Sequence, residues 1–217
     1  NFSYHRYYRW FELIAVFIIL PLVGYLLKSQ LKLLLIPTLL LLTVWCCFLL
    51  LRDPKFKRFR LTNIAQLSVA KKRIFTFFSA GVIFSCGFYA LLNQEKWFQL
   101  PLESPVNWLM LLIFYPLVSV MPQELIYRTY FFHRYKKIIP DKRWRIVLSA
   151  STFSLAHIIY DNWIAVLLSF AGGLMFAYTY AYSRSTIACV VEHSVWGLWL
   201  FSLGLGQYLD SGAIVST

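Results

Sequence analysis

Apolar residues fall in long blocks along this chain, and charged residues collect between the blocks. The runs 10–27 and 31–51 hold 18 and 21 residues that are almost wholly apolar, each close to the ~20 needed to cross the hydrocarbon core of a bilayer. They predict a helical hairpin. The stretch 52–73 then carries eight Lys or Arg against one acid, Asp53, with a weakly amphipathic middle at 61–69, and reads as a solvated or interfacial loop. A third run, 74–92, is followed by a mixed loop at 93–105 and by an unusually long fourth run, 106–135, that contains Pro116 and Pro122. Proline removes a helix hydrogen bond and crowds the preceding turn, so a kink or break is expected there. After a basic loop at 136–145 come a short fifth run at 146–160, a sixth at 163–182 and a seventh at 185–206. The pattern predicts an all-α protein, a polytopic transmembrane helical bundle of about seven spans that forms one integral membrane domain over 1–217. The short fifth run leaves the count open.

Composition agrees. The chain is 59% hydrophobic and 14% charged, against roughly 25% charged residues in an average soluble domain, and its 19% of aromatic residues suits the bilayer interfaces where Trp and Tyr collect. A net charge of +12 would fit nucleic acid if it formed a basic face on a soluble domain. Here the basic residues lie between apolar runs, so the lipid bilayer is the expected partner and nucleic acid is not. Positive charge also sorts by side: Arg6, Arg9, the eight basic residues after the second run, six from Arg134 to Arg145, and Arg184, against Lys28, Lys32 and Lys96. The positive-inside rule then places the N-terminus in the cytoplasm and the C-terminus outside. Cys46, Cys47, Cys86 and Cys189 sit in apolar runs without Cys-x-x-Cys spacing and read as packing thiols. The first run is too long for a cleavable signal peptide, and an opening on Asn1 points to a fragment or a processed form. Gly172, Gly173 and Ala177 give the sixth run a small-residue face for close helix packing, and Tyr178, Tyr180 and Tyr182 read as an interfacial belt.

Against this background the polar residues inside runs stand out. Glu124 and Arg128 are four apart and share a helix face; burying either alone in hydrocarbon costs at least ~2.5 to 3.5 kcal/mol, which makes a functional site the default reading. The others are His157, Glu192, His193 and, at the start of the first run, Glu12. Glu124 lies ten residues from Arg134, His157 twelve from Arg145, and His193 nine from Arg184. At ~1.5 Å per residue all three lie roughly 13 to 18 Å from the same membrane face. A carboxylate and two imidazoles at one depth fit metal-free hydrolysis by an activated water, a His-His-Glu zinc site, polar groups that lock helix packing, or ion or proton translocation. His133 and His5 read as interfacial. Asp161 reads as part of a turn with Asn162 rather than as a partner of His157, and Glu192, about 100° around the helix from His193, as a supporting or separate acid.

Three short motifs at these residues, Gln123-Glu124-x-x-x-Arg128, Phe153-x-x-x-His157 and His193-x-x-x-Gly197, resemble those of the CPBP family, the CAAX-protease and bacteriocin-processing membrane proteins also called Abi, over a core at about 106–207. The resemblance implies a multi-pass protein of a bacterial cytoplasmic membrane and an intramembrane glutamic endopeptidase acting on a peptide or protein near the cytoplasmic leaflet. No cofactor is then expected, with zinc as the minority alternative. It further implies Glu124 and His157 as base and partner, His193 as oxyanion donor, and Arg128 as the residue fixing the carboxylate. Two positions depart from the family pattern: Gln123 stands where the first motif carboxylate is expected, and Gly197 has no side chain to assist His193. Either Glu124 carries the base role, or the chain is an inactive member acting as a membrane binding or immunity protein, or Gln123 is an engineered change.

Overall fold

A computed structural model describes residues 2–92 and 97–209. Lys96, one of the three lysines expected on the outer side, lies outside the described residues, as does the start of the expected 93–105 loop. The described part of that loop holds a short helix, Gln99–Glu103.

Among the described residues six helices are long and apolar enough to cross a membrane: α1, His5–Leu26; α2, Leu35–Arg52; a segment at Arg58–Leu91 whose regular helix α3 is Ala65–Leu91; α4, Pro105–Arg134; α6, Trp163–Ser183; and α7, Thr186–Leu203. Between α4 and α6 lies α5, Lys142–Ala156, extended by a 3-10 turn at His157–Tyr160. This is the expected short fifth run, too short and too polar to qualify as a span on its own. Its polarity has a physical reason. Ser149, Thr152 and Ser154 are buried against protein rather than lipid, and each hydroxyl bonds a backbone carbonyl. A Cβ on Gly173 of α6 would lie 3.1 Å from the Ala150 Cα, so the small-residue face of α6 is where α5 packs.

Turn chemistry sets the boundaries. The side chains of Asp141, Asn162 and Ser185 cap the first turns of α5, α6 and α7 by accepting from Arg143, Ala165 and Ala188 backbone N–H groups, as N-cap residues do. Asp161 is a left-handed turn residue (φ 58°) paired with Lys28 at 2.6 Å, in keeping with the turn reading. Helix α3 begins at Ala65, so Lys71, Lys72 and Arg73 are helical rather than part of the loop assigned to 52–73. Of the expected tyrosine belt, Tyr178 and Tyr182 are exposed, whereas Tyr180 is buried in the core.

The proline-rich α4 does not break. It widens into π turns at Tyr115–Val120 and Leu125–Tyr130, on either side of Met121–Glu124. Pro116 and Pro122 have no N–H for the regular ladder, and a π turn carries the chain past such gaps with a shifted side-chain register. The expected kink is thus replaced by a continuous helix with rotated faces.

Burial divides the bundle. In the most apolar stretch of each candidate span, 17, 11 and 17% of residues are buried for the first three, against 44, 50 and 50% for α4, α6 and α7. The last three, with α5, therefore form the centre, and α1 to α3 present most of their surface outward. One tie fastens α1 to that centre. The buried Glu12 carboxylate accepts hydrogen bonds from Tyr130 (2.6 Å), Tyr135 (3.0 Å) and the Arg134 guanidinium (2.9 and 2.7 Å). Glu12→Ala is expected to destabilise the fold by about 3 kcal/mol, the low end for a broken buried pair because the Arg134 side chain remains partly exposed. A fall in the unfolding midpoint in detergent would show it; an unchanged midpoint would mean that α1 is held by apolar packing alone.

Candidate active site

The rotation of α4 decides where its polar side chains point. Glu124 and Arg128 are both fully buried. Arg128 Nε lies 3.2 Å from Glu124 Oε2, close enough for ionic attraction but not aligned as a hydrogen bond. The guanidinium is fixed by other contacts: Nη1 donates to Ser149 Oγ at 3.1 Å, and the group lies 4.7 and 5.8 Å over the Phe153 and Phe176 rings. A cation held between aromatic faces and a serine gives the carboxylate a permanent counter-ion. The other carboxylate oxygen, Oε1, is 2.8 Å from His193 Nδ1.

That contact sets the state of the imidazole. With a carboxylate as partner, Nδ1 carries the proton and donates it, which leaves Nε2 as the acceptor nitrogen. The ring stacks on Phe176 at 4.5 Å and meets Phe153 edge-on at 5.6 Å, so its orientation is locked. Nε2 lies 3.4 Å from the Tyr115 hydroxyl. His157 follows the same logic with a different partner. Its Nδ1 donates to the Phe153 carbonyl at 2.7 Å, leaving Nε2 as acceptor.

These groups meet at a cavity of about 260 Å³ within the bundle, walled mainly by apolar side chains, including Phe84, Phe88, Met175 and Trp196. Its polar lining includes Tyr115, Ser119, Gln123, His157 and His193. Gln123 Nε2 donates to Ser119 Oγ at 2.8 Å, and Gln123 Oε1 is buried with no hydrogen-bond partner among the described residues. Glu124 and Arg128 do not line the cavity. The carboxylate therefore sits behind His193, and the motif-one side chain in the wall is an amide. The expectation that Glu124 would work beside His157 meets a different placement, in which Glu124 contacts His193 and His157 contacts Phe153.

Gly197, also in the wall, has a steric reason to be glycine. A Cβ there would fall 2.1 Å from Tyr115 Oη, so the phenol hydroxyl occupies the space a side chain at 197 would take. Sequence reasoning missed Tyr115, because only tertiary packing brings it to His193. It also missed Arg73, whose Nη2 lies 3.2 Å from Glu192 Oε1, while the Thr179 hydroxyl bonds both Arg73 and Glu192. Glu192 thus has a site of its own on the α3 side. His133, expected at the interface, lies 2.8 Å from Asp53 Oδ2 at the end of α2. Among the described residues no three His, Cys, Asp or Glu side chains converge as metal ligands.

Comparison with curated proteins and with solved structures gives no match. Residues 105–199 match the family model described as type II CAAX prenyl endopeptidase Rce1-like, a stretch that holds all three motifs and most of the cavity wall. Over that segment the chain is similar to the Rce1-like proteins, in keeping with the resemblance its motifs carry.

Proposed function

We propose that the chain is an intramembrane peptidase in which Glu124 and His193 together form the water-activating base. The observation that carries this reading is the 2.8 Å contact between Glu124 Oε1 and His193 Nδ1, which places a carboxylate-backed imidazole at the wall of an apolar cavity. His193 Nε2 takes a proton from water as the water oxygen attacks the peptide carbonyl, and Glu124 stabilises the imidazolium that forms. Tyr115, donating from beside Nε2, stabilises the oxyanion of the tetrahedral intermediate. Collapse breaks the C–N bond, and the imidazolium returns its proton to the leaving amine. His157, with its Nδ1 proton held by Phe153, accepts a hydrogen bond from the water and aims it. Apolar walls exclude bulk water, which strengthens each of these interactions. The positive-inside pattern supports a site toward the cytoplasmic leaflet.

A peptide with a prenylated CAAX terminus is the first substrate to try, since that activity is in the name of the matched family. The purified chain is expected to cleave it in detergent or vesicles at a rate unchanged by a chelator. Loss of activity on chelation, restored by zinc, would overturn the metal-free mechanism. A second reading rests on a specific observation: among the described residues the cavity wall presents the amide of Gln123 and no carboxylate, as in a protein that binds a peptide without cutting it. Binding without cleavage by the wild type, together with cleavage by Gln123→Glu, would establish that reading instead.

A further inference from the structure

Away from the catalytic cavity, a second cavity of about 300 Å³ is lined by His5, Arg6, Arg9, Lys137 and Ile138. We infer that it is a binding site for a phosphate group, and specifically for the phosphodiester headgroup of an anionic phospholipid. His5 and Arg9 are four apart and Arg6 and Arg9 three apart, so α1 presents them on neighbouring positions of one face. Lys137 reaches the same space from the turn after α4. No acid is among the lining residues. The acid one turn further along α1, Glu12, already holds Arg134 and two tyrosines. Arg9 is also positioned, its Nη1 donating to the Arg134 carbonyl at 3.1 Å.

Several cations gathered in one concavity repel one another, and an anion bound among them relieves that repulsion through charge-assisted hydrogen bonds. Location selects the anion. The candidate spans His5–Leu26 and Pro105–Arg134 both terminate at this cavity, which puts it at the boundary between hydrocarbon and water, where lipid phosphates lie. Basic pockets between helix ends on the positively charged side of a membrane protein are where anionic headgroups are held. The inference does not depend on whether the chain cleaves peptides.

The test titrates short-chain phosphatidylglycerol, phosphatidylcholine and inorganic phosphate separately into the full chain in detergent, and follows the unfolding midpoint. Phosphatidylglycerol is expected to raise the midpoint saturably, at concentrations at least tenfold below those needed of either other probe. The exposed pair Arg6→Glu and Lys137→Glu is expected to weaken this response tenfold or more. A control pair with the same charge change on α3, Lys71→Glu and Lys72→Glu, is expected to change it less than threefold. Equal losses in both pairs would reduce the effect to diffuse surface charge and overturn the site. Equal potency of inorganic phosphate would show a phosphate site with no lipid specificity, and equal potency of phosphatidylcholine would show generic detergent-like stabilisation; either overturns the lipid assignment.

Discussion

Replacing His193 by alanine is expected to lower peptide cleavage by ~10³-fold, within the range that loss of a positioned acid–base group produces. The fold should survive, because Glu124 and Arg128 keep each other as partners at 3.2 Å, although the ring removed packs α7 against Phe176 of α6 and Phe153 of α5. Glu124→Gln is expected to lower cleavage as well, but with a second consequence. It leaves the Arg128 guanidinium fully buried without a counter-ion, a situation that costs ~3 to 5 kcal/mol when one partner of a buried pair is lost. The two variants therefore weight chemistry and stability differently: His193→Ala should lose kcat with the smaller fall in unfolding midpoint, whereas Glu124→Gln should show the larger fall in midpoint. Cleavage kinetics at saturating substrate, measured beside the unfolding midpoint, check this. Wild-type rates from His193→Ala would remove the imidazole from the base role, and wild-type rates from Glu124→Gln would leave His193 acting alone.

The contrast between these variants also shows what was legible in the chain. Glu124, His157 and His193 stood out because charge and imidazole are rare inside apolar runs, and counting from Arg134, Arg145 and Arg184 set them at one depth. Depth along a helix axis survives into the fold because the rise per residue hardly varies. Facing does not survive in the same way. The π turns at Tyr115–Val120 and Leu125–Tyr130 change the register of α4 on both sides of the motif, so the direction of Gln123 and Glu124 could not be read by counting 100° per residue. The prolines signalled a disturbance, but whether the helix would break or widen depended on neighbours distant in sequence. Helix α5 was legible as a short element for a related reason: Ser149, Thr152 and Ser154 face protein, so its sequence lacks the apolar surface that lipid demands. The family motifs marked candidate positions. They left open which side chain reaches the cavity, and there the amide of Gln123 and the buried carboxylate of Glu124 differ in a way only packing determines.

Gly197→Ala is expected to be as damaging as the loss of a charged residue, although it adds a single methyl group. The new Cβ would lie 2.1 Å from Tyr115 Oη, 2.5 Å from Cε1 and 2.6 Å from Cζ, so the phenol must swing away from His193. Its room to do so is small, since the ring is buried and packed edge-on against Phe201 at 5.3 Å. Overpacking of this kind costs about 1 to 3 kcal/mol of stability. The larger effect should be on rate, because the displaced hydroxyl lies 3.4 Å from His193 Nε2, where the proposed mechanism uses it. Tyr115→Phe isolates that contribution by keeping the ring and removing only the oxygen. Loss of one oxyanion donor lowers kcat by ~10²- to 10³-fold, and Tyr115→Phe is expected to fall in that range with KM and the unfolding midpoint little changed. Gly197→Ala should match or exceed that loss in kcat and lower the midpoint as well. A wild-type kcat for Tyr115→Phe would assign the phenol to packing alone, and the steric match between Tyr115 and Gly197 would then serve the shape of the cavity rather than its chemistry.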